Sequence, residues 1–106
     1  MEARTFRVML RMNVKPGAEA DYERTWSEVG QAITGHPANL GQWLLRADGE
    51  DCVYFIVSDW TDEESFREFE RSDAHVAHRT KLHPYRTGGE MWTMRVVHEM
   101  NTGARP

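Results

Sequence analysis

Apolar residues recur along this chain with two different periods. Residues 5–14 alternate with a period of two, which predicts a strand, whereas residues 18–33 place apolar side chains three or four positions apart, which predicts an amphipathic helix. Alternation returns at 40–46 and 52–60, and the turn-forming residues 47–51 join these two segments. The first half of the chain is therefore predicted to fold as a strand, a helix and a hairpin.

The second half is predicted to contain a helix in two pieces and a final strand. Thr61 and Glu64 have the spacing of a capping box, so a helix is predicted to begin there. The Ser-Asp pair at 72–73 is expected to interrupt this helix, which resumes at 74–82 and ends before Pro84. The remaining segments are predicted as a loop at 86–89, a strand at 90–99 and a frayed tail at 100–106.

The predicted order is strand, helix, strand, strand, helix, strand (βαββαβ), which is the ferredoxin-like α+β arrangement. We expect one domain over residues 1–106 with its core at 5–99. Both helices of such a fold pack on one face of the sheet, but the strand at 52–60 is apolar on both faces, so the second face should also be covered. The residues predicted for that second face are Met9, Trp43, Leu45, Phe55 and Val57. An identical subunit would bury them, so a homodimer packed sheet to sheet is expected.

Composition excludes several classes of protein. The 106 residues include 13 Lys and Arg against 17 Asp and Glu, a net charge of −4, and this acidity argues against a nucleic-acid partner. The single cysteine, Cys52, cannot form an internal disulfide and is expected to be a small buried residue. No apolar segment reaches the roughly 20 residues of a membrane span, so no membrane partner is expected. Arg7 and Arg11 interrupt the N-terminal apolar run, unlike the core of a signal peptide, which predicts a cytoplasmic protein.

Histidine is abundant for so small a domain, and three imidazoles lie close together in the sequence. His75 and His78 are three residues apart and would share one helix face, with His83 shortly after them. The cysteine and carboxylate spacing of a zinc site does not occur, so we expect no metal. Imidazoles with a pKa near neutrality are suited to accept a proton from a bound phenol, which makes all three candidate bases. The alternative is a set of solvated histidines on the helix surface.

Trp60 ends the third strand directly before the predicted second helix. A large ring at such a junction can form the wall of a pocket between sheet and helices, although a core tryptophan is the alternative. Tyr54, Ile56 and Ser58 share the face of Trp60 by alternation. Hydroxyl groups beneath helices either find internal partners or line a cavity, and the pattern leaves both outcomes open.

Two arginines are candidates for binding an oxyanion. Arg46 ends the second strand and Arg79 lies on the second helix. A guanidinium group stays charged beside an apolar wall and can therefore stabilise an enolate there. A surface ion pair with a carboxylate is the alternative for each residue.

The segment VSDWTDEESFREFERSDAH at 57–75 and the KPG turn at 15–17 resemble the antibiotic biosynthesis monooxygenase family over roughly residues 5–99. Within that family, HPANLGQ at 36–42 and LHPYRTGG at 82–89 are most similar to the anthrone and naphthacenone oxygenases. The resemblance implies a dimeric α+β barrel with an apolar pocket in each subunit. It also implies oxidation of an aromatic substrate to a quinone by O₂ as co-substrate, without flavin, haem or metal.

The resemblance also assigns residues. Trp60 matches the family's pocket tryptophan, Phe66 a helix aromatic that lines the pocket, and Arg79 lies within one residue of a family arginine. Two positions depart from the family, because Ile56 replaces an asparagine and Arg46 replaces a histidine. The candidates to take over the handling of the enolate are His75, His78, His83 and Tyr54, and the residues expected to bind substrate are Tyr54, Ser58, Phe66, Phe69, Arg46 and Ile56.

The haem-degrading branch of the family would place its functional residues near Leu10, Phe69 and Arg79, two of which are apolar replacements, so haem degradation is not expected. The predicted function is cofactor-independent monooxygenation of a polycyclic phenol or anthrone. A polyketide cyclase or a non-oxidative aromatic-binding protein is the alternative on the same fold. A stress-related dimer without a small-molecule ligand is a third hypothesis.

Overall fold

Strands and helices alternate along the chain in the predicted order. A computed structural model describes residues 4–100, apart from the side chain of Ala32, so most of the predicted frayed tail lies outside the described residues. The elements are β1 (Phe6–Val14), α1 (Glu19–Ile33), β2 (Asn39–Arg46), β3 (Val53–Trp60), α2 (Glu63–Glu70), α3 (Asp73–Leu82), a short 3-10 turn (His83–Tyr85) and β4 (Arg86–Arg95). No helix in this described part is long and apolar enough to cross a membrane.

The four strands form one antiparallel sheet in the order β2-β3-β1-β4, which is the ferredoxin-like arrangement predicted from the sequence. In the centre of the sheet, Leu10 of β1 lies opposite Ile56 of β3 and Met91 of β4. The helices cover only the face to which Leu10 belongs. The other face is uncovered in the single chain, as predicted, and Trp43 and Trp92 on it are 47% and 42% exposed.

Two clusters of side chains fill the space between sheet and helices. One cluster is built around Trp60, Phe66 and Phe69, and the other around Tyr22 and Tyr54. Each cluster combines aromatic rings of the sheet with aromatic rings of a helix packed on it. A space remains between the two clusters, and the candidate site lies there.

The structure corrects the predicted start of the second helix and confirms its predicted interruption. The helix α2 is capped by Asp62 instead of Thr61, because the Asp62 carboxylate accepts a 2.7 Å hydrogen bond from the backbone N–H of Ser65. Helix α3 begins after Ser72, whose hydroxyl accepts from the N–H of His75, so the predicted interruption of the helix is confirmed. Aspartate is the stronger cap at the first junction because its charge also complements the helix dipole.

The predicted loop at 86–89 is wrong, because these residues form the first part of β4. Gly89 pairs with Met12, and a Cβ atom at Gly89 would lie 2.8 Å from the Met12 sulfur and 2.9 Å from the carbonyl oxygen of Arg11. Glycine is therefore required by close packing within the sheet and not by a turn. The strand also ends at Arg95, four residues earlier than predicted.

Cys52 is neither part of β3 nor a buried hydrophobic residue, contrary to the prediction. It has φ 62° and completes the turn between β2 and β3. Its thiol donates to the Glu19 carboxylate over 3.1 Å, and this hydrogen bond raises the pKa of the thiol. Alternation along the strand predicted a core position for Cys52. The left-handed backbone at this residue directs its side chain to a polar contact instead.

Candidate functional site

A cavity of about 240 Å³ lies between the sheet and all three helices. Its floor is formed by Val8, Leu10 and Met12 of β1 and by Ile56, Ser58 and Trp60 of β3. These residues reach the same face because they occupy alternate positions of paired strands. From Val8 to Met12 the floor extends about 13 Å along β1, at roughly 3.3 Å per residue.

Trp60 forms one end of the cavity. It is 1% exposed, and its ring lies 4.9 Å from that of Phe69 and 5.4 Å from that of Phe66. The indole N–H donates to the hydroxyl of Ser58 over 3.0 Å, which leaves the O–H of Ser58 available as a donor to a ligand. The sequence left two interpretations of Trp60, a core residue or the wall of a pocket. Trp60 is both, because its buried ring also borders the cavity.

The imidazoles of His75 and His78 extend from α3 into the lining of the cavity. The Nδ1 atom of each ring is buried and has no hydrogen-bond partner among residues 4–100. Burial, with the charge of Arg79 as a second cause, lowers the pKa of His75 to about 4. His75 is therefore neutral near pH 7 and can accept a proton or a hydrogen bond.

His83 and Arg79 also line the cavity, but both are exposed. Arg79 carries its positive charge close enough to His75 to disfavour protonation of that ring. In the described part of the chain Arg79 is absent from every ion pair, so the surface ion pair considered from the sequence is not formed. A guanidinium at the edge of an apolar cavity can stabilise an anion that forms inside it.

Tyr54 and Arg46 lie away from the cavity and form a cluster with Glu23. The hydroxyl of Tyr54 and the guanidinium of Arg46 both donate to the Glu23 carboxylate, and these hydrogen bonds lower the pKa of Glu23. Tyr54 has therefore found an internal partner, whereas Ser58 on the same strand face lines the cavity. Of the residues predicted to bind substrate, the structure brings Ser58, Ile56 and the two phenylalanines of α2 together around the cavity.

Sequence reasoning assigned no role to His36, although its ring contacts the cavity wall. It lies 5.6 Å from the rings of both Trp60 and Phe69, edge-on to each. Its Nδ1 atom accepts from the backbone N–H of Ala38 over 3.1 Å, which fixes the ring in the turn after α1. The His-Pro dipeptide signals only the end of a helix, so the contact with Trp60 could not be predicted from local sequence.

Tyr22, Gln42 and Arg86 line the cavity as well, and none was predicted as a site residue. Tyr22 belongs to the apolar stripe of α1, where a core position is the ordinary interpretation, and Arg86 lies in the segment predicted as a loop. Within residues 4–100, no three His, Cys, Asp or Glu residues come together in a group that could hold a metal ion.

The sequence profile of the antibiotic biosynthesis monooxygenase family matches residues 5–81. This match covers more than half of the chain, which therefore belongs to that family.

Solved structures share the fold over nearly the whole chain. SnoaB, a cofactor-independent oxygenase from Streptomyces nogalater, superposes with a TM-score of 0.81 at 23% identity, covering 92% of this chain and 98% of SnoaB. A Caulobacter crescentus protein provisionally named an antibiotic biosynthesis monooxygenase superposes with a TM-score of 0.82 at 17% identity, covering 91% and 92% of the two chains. At these identities the similarity establishes the fold.

A protein of Natronomonas pharaonis, provisionally named a heme-binding protein, is 34% identical over 61 residues. The match covers 58% of this chain but only 10% of the relative's length.

Proposed function

We propose that this member of the antibiotic biosynthesis monooxygenase family is a cofactor-independent monooxygenase that oxidises an aromatic polyketide phenol or anthrone to a quinone with O₂. One observation carries the proposal. Two imidazoles, His75 and His78, present buried Nδ1 atoms that have no partner within residues 4–100, beside an apolar cavity walled by Trp60 and Phe69. A buried ring nitrogen without a partner is costly, and in the tautomer that leaves Nδ1 unprotonated an acidic substrate proton supplies the missing donor.

The cavity favours a small planar ring system. Its volume of about 240 Å³ lies below the roughly 300 Å³ at which drug-sized pockets begin, so a few fused rings are the upper limit. The aromatic rings of Trp60 and Phe69 provide offset or edge-on contacts for such a ligand. Apolar floor residues exclude water and thereby strengthen every electrostatic interaction inside the cavity.

The first chemical step in this proposal is deprotonation. The imidazole of His75 or His78 takes the proton of the substrate's acidic O–H or C–H at Nδ1, and the resulting cation and anion stabilise each other in the desolvated cavity. The pKa of His75 is low in the protein without ligand. It rises when the substrate anion lies beside the ring, because an opposite charge favours the imidazolium. Arg79 at the edge of the cavity adds a second positive charge for the anion.

The oxidation then needs only substrate and O₂. The carbanion gives one electron to O₂, and the two radicals combine to a peroxide anion at the ring carbon. The imidazolium formed in the first step returns its proton to this anion, which gives the hydroperoxide and restores the base. Loss of water converts that carbon to a carbonyl, so that CH₂ and O₂ become C=O and H₂O. Four electrons leave the carbon and four reduce the dioxygen, and no other reductant is required. The protein contributes desolvation, orientation and the base.

Haem is the group suggested by the name of the Natronomonas relative, but the cavity formed by the residues here is too small for it. The cavity of about 240 Å³ is smaller than an ordinary drug-sized pocket, and a haem exceeds such ligands in size. We therefore derive no step through haem. Titration of the protein with haemin should leave the haemin absorption spectrum without the shift that an axial histidine produces.

A homodimer completes the proposed assembly. On the outer sheet face, Trp43, Val57, Met9 and Trp92 form one continuous apolar row across four strands. Two arginines on the same face are already paired, since Arg7 donates two hydrogen bonds of 2.7 and 2.8 Å to Asp59 and Arg11 donates to Glu50. The apolar row can therefore be buried against a second copy of itself without separating these two pairs.

The experiment that tests the activity uses protein freed of metals with chelator and incubated with anthrone in air. We expect O₂ uptake together with the absorption of the quinone. Replacing both His75 and His78 by glutamine should lower the rate about 100-fold or more, the range for loss of a general base. The matched control is His98→Gln, which changes an exposed imidazole outside the cavity and should keep the wild-type rate. Absence of quinone from the wild type, or an unchanged rate in the double variant, would contradict the proposal.

A further inference from the structure

The end of the cavity opposite Trp60 contains an arginine that has no counter-ion in the part of the chain that the structure describes. Arg86 is half-buried and lines the cavity at the start of β4. Its Nη1 atom lies 3.5 Å from the sulfur of Met12, and none of the ion pairs formed within residues 4–100 includes Arg86. A thioether is a weak acceptor, so the guanidinium retains most of its capacity to donate.

Tyr22 supplies a second donor at the same end. Its side chain is 1% exposed, and Tyr22 and Met12 belong to one core cluster. Tyr22 lines the cavity, and its hydroxyl takes part in none of the side-chain hydrogen bonds found within residues 4–100, such as those of Tyr54 and Arg86. Burial raises the pKa of Tyr22 to about 12 and the nearby charge of Arg86 opposes this rise, so near pH 7 the group is a protonated donor.

The described lining of the cavity carries more positive than negative charge, because Arg79 and Arg86 outnumber its one carboxylate. Glu70 is the carboxylate in its described lining, and Arg67 already binds that carboxylate over 3.2 Å. The net charge of the chain is −4, so the positive character of the cavity runs against the composition of the whole molecule. Two donors at one end of the cavity match a planar anion, which a guanidinium binds through parallel N–H groups.

We propose that Arg86 and Tyr22 form a subsite for a carboxylate carried by the aromatic ligand. The carboxylate binds between these two donors while the ring system extends along the floor toward Trp60 and the two imidazoles. The floor of about 13 Å between Val8 and Met12 accommodates this extended arrangement. The subsite would select acidic substrates and fix which ring carbon faces His75 and His78. This inference rests on the proposed function, because it assigns the orientation of the same ligand.

Binding of two matched probes tests the subsite without turnover. Under nitrogen near pH 7, quenching of tryptophan fluorescence gives the dissociation constants of 2-naphthoate and of the uncharged 2-naphthamide. The wild type should bind the carboxylate about tenfold more tightly, or better, since hydrogen bonds to a charged group are the stronger class. Arg86→Gln should remove this preference while the affinity for the amide changes less than about twofold. Tyr22→Phe should reduce the preference severalfold.

The control is Arg71→Gln, which removes an exposed arginine outside the cavity lining and should preserve the preference. Equal affinities of the wild type for the two probes would overturn the subsite and leave the aromatic cavity intact. A preference that survives in folded Arg86→Gln and in Tyr22→Phe would also overturn it. If neither probe binds the wild type, the cavity does not take aromatic ligands, and the proposed function fails together with the subsite.

Discussion

Replacing His75 by glutamine should remove much of the acid sensitivity of the fold. The imidazole of His75 is held neutral in the native state by burial and by the charge of Arg79, with His78 acting in the same direction and Glu70 opposing them. In the unfolded chain the same group titrates near its ordinary value of 6.5. The unfolded state therefore binds more protons than the native state between these two pKa values.

The sign and size of the effect follow from this difference. Because the folded pKa is the lower one, the stabilisation is complete above the unfolded pKa of 6.5 and is lost as the pH falls toward about 4. A native pKa of about 4 gives a loss of about 2 kcal/mol between about pH 8 and pH 5, and about 3 kcal/mol at pH 4. Glutamine has a similar polar end but does not titrate, so this contribution disappears in the variant.

Urea denaturation followed by circular dichroism measures the free energy of unfolding at both pH values and at one protein concentration. The quantity compared is the change between the two pH values, so any pH-independent cost of the substitution cancels. We expect the wild type and His98→Gln to lose about 2 kcal/mol more than His75→Gln. Equal losses in wild type and His75→Gln would show that His75 is not buried in its neutral form, and the interpretation of the site as desolvated would be refuted.

Three further predictions concern the fold and the assembly. Asp62→Ala should destabilise the protein by about 1 kcal/mol in urea denaturation because the N–H of Ser65 loses its cap, and Asp62→Asn should restore most of this. Trp43→Glu should convert the proposed dimer to monomers in sedimentation velocity, since it places a charge in the apolar row; a wild type that already sediments as a monomer would contradict the dimer. Gly89→Ala should cost about 1–3 kcal/mol because its Cβ meets a backbone carbonyl oxygen at 2.9 Å, whereas Gly88→Ala, with its nearest atom at 3.7 Å, should cost clearly less.

The apolar periodicity of the sequence predicted most of the helices and strands, because it records which face of each element is buried. The stripe on α1 and the alternation along β1 each reflect one buried face, and local sequence records such faces directly. Gly89 was misinterpreted because glycine has two physical uses, turns and close packing, and only the neighbouring strand reveals which applies. Cys52 was misplaced because its left-handed backbone interrupts the alternation.

The candidate site was only partly predictable, because part of it depends on contacts between residues that are distant in sequence. Trp60, His75 and His78 could be singled out because their residue types and positions in elements already indicate a function. His36 and Arg86 could not, since each reaches the cavity or its wall through contacts with residues distant in sequence. Tyr54 and Ser58 share a strand face, but only Tyr54 donates a hydrogen bond to the carboxylate of Glu23 on α1.

Oxidation by labelled dioxygen tests the central claim most directly. Metal-free protein is incubated with anthrone under ¹⁸O₂ in ordinary water, and the quinone is analysed by mass spectrometry before its carbonyl oxygen exchanges with solvent. The account predicts one ¹⁸O atom in each quinone molecule, formed at a rate that depends on His75 and His78. Anthrone left unoxidised, a quinone without ¹⁸O, or a labelled quinone formed equally fast without the protein would contradict it.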